Sequence, residues 1–232
     1  MFSQGSRADL IRSILSKLTR AQVNGLANEG FRTVVFNPRG VGIPQVSTNI
    51  FDLAKTVEDF DVFIEHIKAK YPDSNKYLIG FSLGGSQAFK YLASYENAKE
   101  IKGVVTIGNP FNVYEAAVSA NRPKHIIYGN FLTQKLVQRV EFNIDSINRI
   151  KEQRNIDFDL SSVRRSLITF DFDKHFTFKF VDTRCSEQYY LQFSCIDHVS
   201  KVNNPGLIIN SKNDPISQYP NKPRPRSHRG AV

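Results

Sequence analysis

The sequence YLIGFSLGGSQAFKYLASY, residues 77–95, contains a Gly-x-Ser-x-Gly pentapeptide. Residues 76–81 before the serine have the length and composition of a short strand, and residues 86–95 after it are typical of a helix. A serine at a sharp strand-to-helix turn points outward at the carboxyl end of a sheet, as a nucleophile requires. This stretch therefore predicts an α/β fold and makes Ser82 a candidate nucleophile.

The two glycines of the pentapeptide, Gly80 and Gly84, are expected to leave room where neighbouring backbone passes close to the turn. Glycine also tolerates the backbone angles that such a turn demands. Leu83 opens the helix, so its amide is the expected donor to a developing oxyanion. The alternative is a glycine-rich junction with an idle serine.

Strand-like and helix-like segments alternate around this turn. Residues 30–37 are predicted as a buried strand, and residues 50–70 as an amphipathic helix that Pro72 ends. Residues 101–111 form a strand and a proline turn in this prediction, and residues 205–215 a buried strand and an acidic turn. The alternation predicts a mostly parallel sheet with helices on both faces.

The remaining segments complete one predicted domain over residues 1–216. Residues 7–27 carry apolar side chains at helical spacing, and residues 112–200 are expected to be largely helical and irregular. Residues 217–232 are rich in proline and arginine, which predicts a disordered basic tail.

A nucleophilic serine needs a base, and the base needs an orienting acid. Asp214 is the candidate acid because it follows the strand predicted in GLIIN (206–210) and would emerge at the same edge as Ser82. The alternative is a solvated turn aspartate. Asp173 and Asp197 are weaker candidates because no clear strand precedes them.

The candidate base is His228, since the other four histidines precede Asp214 in the chain. It comes only 14 residues after Asp214 (228 − 214), in a gap that must usually hold a helix and another strand. A histidine in a loose tail is therefore favoured over a working base.

With these residues in place, the chain resembles the α/β-hydrolases. More narrowly, it resembles the AB hydrolase 4 family of esterase/lipase-like proteins, which includes the α/β-hydrolase domain-containing proteins 1 and 3. The likeness runs from about Gly30 to Pro215. It rests on the motifs GFRTVVFNPRG, TVEDFDVFIEHIKAKYP, LIGFSLGG, VTIGNPFNV, ITFDFDKHFT and PGLIINSKNDP.

The resemblance implies a serine hydrolase of the carboxylesterase or acylglycerol-lipase type. Ser82 would be its nucleophile and Asp214 its acid, and residues 112–200 would form a cap over an acyl-binding cleft. The expected substrate is a small-molecule or lipid acyl ester, and no metal or organic cofactor is expected.

The chain departs from the family pattern at both ends. Family members begin with extra strands and a Pro-Gly loop, and they end with a strand and a Gly-Gly-His-type loop that carries the base. We therefore expect a chain truncated at both ends. Without a base, such an enzyme loses on the order of 10⁴ to 10⁶ in rate. The alternative function is a non-catalytic, hydrolase-like binding protein.

Charge and composition limit the partners. The formal net charge is +9, and four of these charges lie in the tail, at Lys222, Arg224, Arg226 and Arg229. The other basic residues are mostly interleaved with acids, so no nucleic-acid partner is expected. A third alternative is a protein whose tail binds nucleic acid or acidic lipid. No signal peptide or membrane-spanning run is found, so the expected location is cytoplasmic or membrane-associated, with peripheral membrane contact left open.

Overall fold

A computed structural model of the 232-residue chain describes residues 20–40, 56–181 and 185–217. The chain forms two compact units, Met1–Asn37 and Pro38–Val232. Several predictions lie outside the described residues: residues 7–19 of the first helix, residues 50–55 of the second, His228 and the tail from residue 218. The single domain predicted over residues 1–216 stays a prediction.

In the first unit, residues 20–28 are helical and residues 31–37 have no regular secondary structure. Gly30 follows the helix with φ 83°, a left-handed conformation that glycine adopts without strain. The strand predicted over residues 30–37 is therefore wrong, and Phe31, Val34 and Val35 are exposed rather than buried. Apolar and β-branched residues favour a strand locally, but a strand also needs a neighbour to pair with, and no described strand pairs with these residues.

The second unit is built around a parallel sheet. Its described strands are β1 (Lys76–Phe81), β2 (Ile101–Ile107) and β3 (Gly206–Ile209), with β2 in the middle. Both pairs are parallel, and Val105 of β2 lies between Ile79 of β1 and Leu207 of β3. The parallel sheet predicted from the sequence is confirmed, and β1 has the predicted bounds.

The two faces of this sheet differ in burial. Helix α2 (Leu83–Ser94) packs on one face, where Leu78 and Val104 are buried. Side chains alternate between the faces along each strand, so the next residues point to the opposite side. There Tyr77, Ile79, Phe81, Leu207 and Ile209 are all exposed. The expectation that β3 is buried is therefore wrong for its side chains.

Helix α1 (Thr56–Lys70) packs against α2. The ring of Phe60 meets Tyr91 edge to face, with 5.2 Å between the ring centroids, and Ile64 is buried beside them. The helix ends two residues before Pro72, as predicted. Helix α2 begins at Leu83, as expected for the oxyanion amide, although the helical pattern of the sequence starts only at residue 86 because Gly84 and Gly85 are poor helix formers.

Between β2 and β3 the chain is mainly helical, as predicted for residues 112–200. The helices are α3 (Val113–Ala120), α4 (Ile126–Phe142), α5 (Ile144–Arg154), α6 (Leu160–Arg164), α7 (Thr169–Phe172), α8 (Phe178–Phe180) and α9 (Ser186–Leu191). A π-helical turn, Asp173–Thr177, joins α7 to α8. The 3₁₀ segments of this unit are Glu96–Glu100, Pro123–His125 and Val199–Lys201.

The helical insertion has its own apolar core. Phe176 stacks on Phe180 with 4.7 Å between centroids, and Phe158 meets Phe180 edge to face at 5.5 Å. Val140 and Ile147 are fully buried around these rings. No helix in the part of the chain that the structure describes is long and apolar enough to cross a membrane.

Arg39 and Gly40, which follow Pro38, contact both α1 and the helical insertion. The Arg39 guanidinium makes a two-pronged ion pair with Asp59 of α1, with 2.6 Å between Nε and Oδ2. The carbonyl oxygens of Arg39 and Gly40 accept hydrogen bonds from Arg139 and from Asn143, the latter at 3.0 Å. Burial lowers the pKa of Arg139 to about 10, so this cation stays charged at neutral pH.

The π-helical turn carries a buried acid. Asp173 accepts hydrogen bonds from the hydroxyl groups of Thr177, at 2.5 Å, and Tyr190. Burial raises the pKa of Asp173 to about 6, although both hydrogen bonds act in the opposite direction. The folded state therefore holds a proton on Asp173 at a pH where the unfolded chain has released it.

This proton makes a testable contribution to stability. Between the unfolded pKa of about 4 and the folded pKa of about 6, the native state binds more protons, so the free energy of unfolding falls as pH rises. The loss from this group is on the order of 3 kcal/mol. Urea unfolding across this range should show that Asp173→Asn lacks this fall. The control Asp157→Asn, at a 99% exposed carboxylate, should keep it, and equal pH slopes for wild type and Asp173→Asn would contradict the prediction.

Candidate active site

Ser82 occupies the sharp turn between β1 and α2, at the carboxyl end of the sheet. Its backbone has φ 49° and ψ −127°, which is strained for a residue with a side chain and costs on the order of 1–3 kcal/mol. The Ser82 amide donates to the carbonyl of Ile107 at the end of β2, at 2.9 Å. The side chain is exposed and makes no hydrogen bond to any other described residue. This is the geometry that the pentapeptide predicts.

Of the two glycines in the pentapeptide, Gly80 has the role that the sequence suggested and Gly84 does not. A Cβ on Gly80 would lie only 2.6 Å from the carbonyl oxygen of Gly84 and from the Cα of Gly85. A Cβ on Gly84 would meet nothing within 4 Å, so the expected close approach at Gly84 is wrong. The second close approach is at Gly85, whose Cβ would lie 3.0 Å from Asn109. Sequence alone did not single out Gly85, since it lies outside the pentapeptide.

Asn109, just after β2, connects the nucleophile helix to the insertion. Its side chain is 1% exposed, and Oδ1 accepts a hydrogen bond from Ser86 of α2 at 2.7 Å. Ser86 also lies 3.0 Å from the carbonyl of Pro110. The Asn109 amide group donates to the Cys195 sulfur at 3.7 Å, where burial raises the thiol pKa to about 11. The Cys195 thiol therefore stays protonated at neutral pH, and its buried sulfur accepts the hydrogen bond from Asn109.

The backbone of Asn109 is also held from the third strand. Asn210, after β3, accepts from the Asn109 amide at 3.2 Å and donates to the Asn109 carbonyl at 2.9 Å. Sequence reasoning missed Ser86, Asn109 and Asn210. The available signal was a polar residue directly after an apolar strand, in IGNP and in LIINS.

Asp214 lies in the turn after β3 and is partly buried. Its Oδ1 atom accepts the backbone amides of Ile216 and Ser217, each at 2.8 Å. The Ser217 hydroxyl donates to the carbonyl of Gly108 at 3.0 Å, which fixes this turn at the carboxyl end of β2. Because the three strands are parallel, Ser82 and Asp214 emerge at the same edge of the sheet.

The described histidines lie on several different elements. His66 is in α1, His175 in the π-helical turn and His198 beside the last 3₁₀ segment. His125 is connected to the Asp214 turn indirectly, through Ser119. Its Nδ1 lies 3.0 Å from the Ser119 carbonyl, and the Ser119 hydroxyl donates to the Pro215 carbonyl at 2.7 Å. Within the described ranges, no histidine forms a hydrogen bond with Asp214. The predicted role of His228 stays a prediction, since it lies outside those ranges.

An aromatic cluster adjoins the nucleophile. Tyr189, Tyr190 and Phe193 are buried together with Ala117, and Leu83, the residue after Ser82, packs against them. Tyr114, Phe170 and Phe178 are partly buried around the same cluster. The surroundings of the elbow are therefore apolar on the side of the insertion. Over the ranges that the structure describes, no group of three or more His, Cys, Asp or Glu residues could hold a metal ion.

The two glycines of the pentapeptide offer a matched pair of substitutions. Gly80→Ala should destabilise the protein by about 3 kcal/mol or more, because the new methyl group meets rigid backbone. Gly84→Ala should be neutral or stabilise by up to about 1 kcal/mol, because it replaces a helical glycine in open space. Urea unfolding of both variants checks this. Equal losses of stability would contradict the close approach at Gly80.

The Asn109 network predicts a second large effect. Asn109→Ala should lower the free energy of unfolding by about 2–4 kcal/mol, because it removes the buried hydrogen bonds with Ser86 and Cys195 and leaves a cavity at a 1% exposed position. The control is Asn213→Ala in the nearby exposed turn, which should change stability by less than about 0.5 kcal/mol. Thermal and urea unfolding measure both. A neutral Asn109→Ala would show that the network does not support the site.

Comparison with known proteins agrees with this geometry. A family model described as alpha/beta hydrolase fold matches residues 15–224. Protein abhd-3.2 of Caenorhabditis elegans is 27% identical over 192 residues, which cover 82% of this chain and 49% of that protein. Phospholipase ABHD3 of Homo sapiens is 25% identical over 188 residues, 81% of this chain and 44% of that protein. Monoacylglycerol lipase of Saccharomyces cerevisiae is 23% identical over 215 residues, 91% of this chain and 46% of that protein.

The chain spans about half the length of the curated relatives that it matches. The family match, by contrast, runs through most of the chain and includes the elbow, the parallel strands and the Asp214 turn. The resemblance inferred from the motifs is confirmed: this protein belongs to the α/β-hydrolase superfamily and is similar within it to the ABHD3-like proteins.

Proposed function

We propose that this chain carries the nucleophile and the acid of a serine hydrolase that cleaves carboxylic acyl esters. The observation that carries the proposal is the backbone of Ser82, held at φ 49° with an exposed side chain at the start of α2. A strained, exposed serine at this point has no packing role that would explain its conformation. Strain of this kind clusters at functional sites.

The proposed reaction follows from the positions of Ser82 and Asp214 at the carboxyl end of the sheet. Ser82 attacks the carbonyl carbon of the ester, and the amide of Leu83 at the helix N-terminus stabilises the oxyanion that forms. A histidine, for which His228 is the sequence candidate, takes the serine proton and passes it to the leaving alcohol. Asp214 orients that histidine: its Oδ1 is held by two amides, while its Oδ2 has no hydrogen-bond partner among the described residues. Water then releases the acid from the acyl-enzyme.

The substrate class is argued from the aromatic cluster and from the relatives. Leu83, the residue after Ser82, packs against the buried cluster of Tyr189, Tyr190 and Phe193, and this apolar environment beside the nucleophile favours an acyl chain over a polar group. Relatives carry the names Monoacylglycerol lipase, Phospholipase ABHD3 and Medium-chain fatty acid ethyl ester synthase/esterase 2. These names support an acyl ester as the substrate; the short-chain carboxylesterase or acylglycerol-lipase type is our proposal.

One observation favours a second candidate, a hydrolase-like binding protein without catalysis. Asp214 makes its hydrogen bonds to backbone amides, and none of the histidines at positions 66, 125, 175 and 198 bonds to it. Without a base, Ser82 stays a protonated, weak nucleophile. Such a chain would bind an acyl ester and release it unchanged.

Hydrolysis of p-nitrophenyl butyrate separates the two candidates. The proposal expects activity in the full chain that Ser82→Ala abolishes, with a loss on the order of 10⁵-fold or more, because the covalent step disappears. A fluorophosphonate probe should label the wild-type chain and leave Ser82→Ala unlabelled. His228→Ala should lose activity if His228 is the base.

The matched control for the base is His125→Gln, which removes a histidine tied to the same turn through Ser119 and Pro215. It should retain activity. A folded wild-type chain that neither hydrolyses the ester above the Ser82→Ala background nor reacts with the probe would refute the enzyme proposal and support the binding protein.

A further inference from the structure

The N-terminal turns of α4 expose a group of large apolar side chains. Ile126, Ile127, Tyr128 and Phe131 are all exposed, and Ile127 is 80% exposed. Ile127 and Phe131 are four residues apart, so they lie on the same side of the helix. Water-exposed isoleucine and phenylalanine at adjacent positions cost free energy unless a partner covers them.

Leu167, in the loop between α6 and α7, extends this apolar group. It is 61% exposed. The loop is held to α4 by two hydrogen bonds, from Asn130 to the Leu167 carbonyl at 3.2 Å and from Gln134 to the Ser166 carbonyl at 3.4 Å. Asn130 and Gln134 share a stripe of the helix with Ile127 and Phe131, so Leu167 lies beside them. We call these five residues, Ile126, Ile127, Tyr128, Phe131 and Leu167, the α4 surface.

Basic residues surround the α4 surface. Arg122 and Lys124 are exposed in the turn before it, and the Lys135 ammonium lies 5.8 Å from the centre of the Phe131 ring. Arg165 is exposed two residues before Leu167. Residues 116–140 and 160–170 contain no aspartate or glutamate; of the acids that flank them, Glu141 pairs with Arg164, and Asp159 and Asp171 are exposed but fewer than the nearby cations. The local charge is therefore positive.

The α4 surface lies on the side of the protein that carries the acid turn. His125, the residue before Ile126, lies 3.0 Å from the Ser119 carbonyl through its Nδ1, and the Ser119 hydroxyl donates to Pro215 at 2.7 Å. Pro215 follows Asp214 directly. A surface that contacts α4 at this end would therefore also lie near the Asp214 turn.

We propose that the α4 surface docks on an anionic lipid bilayer. Apolar side chains that project from the end of a helix enter the interfacial region, while the surrounding lysine and arginine side chains contact acidic headgroups. Charge decides between occupants: an apolar centre within a positive border fits a negatively charged, deformable surface. Docking does not depend on catalysis, so it can succeed or fail separately from the proposed ester hydrolysis.

The absence of tryptophan from the chain gives a direct test. Ile127→Trp places a single reporter on the α4 surface. Its emission should shift to shorter wavelength on phosphatidylcholine vesicles that contain phosphatidylserine, and brominated lipid should quench it. The matched control is Val62→Trp on α1, at a position 71% exposed, and its emission should not change.

Vesicle sedimentation measures how much the apolar and the basic side chains each contribute to binding. The pair Ile127→Ser and Phe131→Ser should reduce binding of the full chain by at least about tenfold, since each residue loses the burial of a large side chain. Arg122→Gln with Lys124→Gln should weaken binding to phosphatidylserine vesicles and make it less sensitive to salt. Val62→Ser should leave binding unchanged. The same measurements with Ser82→Ala should give the same affinities.

Four outcomes would overturn the proposal. The wild-type chain could fail to bind anionic vesicles, or it could bind them equally well after Ile127→Ser and Phe131→Ser. Binding that disappears only when Lys222, Arg224, Arg226 and Arg229 are changed to Gln would assign it to the tail instead. Single-stranded DNA that shifts the Ile127→Trp emission while vesicles do not would indicate a nucleic-acid surface.

Discussion

The candidate site depends on the buried hydrogen bonds of Asn109. The side chain of Asn109 accepts a hydrogen bond from Ser86 of the nucleophile helix. Its backbone forms two hydrogen bonds with the side chain of Asn210, which follows the third strand. Ser82 and Asp214 lie on opposite sides of β2, so their spacing depends on how firmly the ends of the outer strands are held to the middle one. A polar group with 1% exposure is costly unless every atom is bonded. This cost favours one arrangement of the three segments over any other.

The elbow illustrates how strain is supported by its surroundings. Ser82 has a conformation that its side chain opposes, and the turn is fixed by the hydrogen bond to Ile107 and by the contact of Gly80 with the first turn of α2. The helix then presents the Leu83 amide next to the serine. Ser86 of the same helix donates a hydrogen bond to Asn109. One helix therefore both positions the nucleophile and stabilises the buried polar contacts below it.

The uncovered face of the sheet and the α4 surface are two different kinds of exposed apolar area. On the sheet, Tyr77, Ile79 and Leu207 are exposed side chains of regular, paired strands. At α4, apolar residues project from a helix end among cations. Among the described residues, the α4 surface combines exposed apolar side chains with exposed cations, which is the pattern that an anionic bilayer recognises.

The amino-acid sequence by itself determined the strand β1, the helical insertion, and Ser82 and Asp214 as candidates, because these rest on local periodicity and on spacing along the chain. The resemblance of its motifs to a known family gave the family. The local sequence pattern wrongly predicted a buried strand at residues 30–37 and buried side chains on β3, since pairing and burial depend on which neighbours are present. It also misjudged Gly84, because close approach is a property of two segments. Only the tertiary structure joined Ser86, Asn109 and Asn210, which lie far apart in the chain and meet where parallel strands end together.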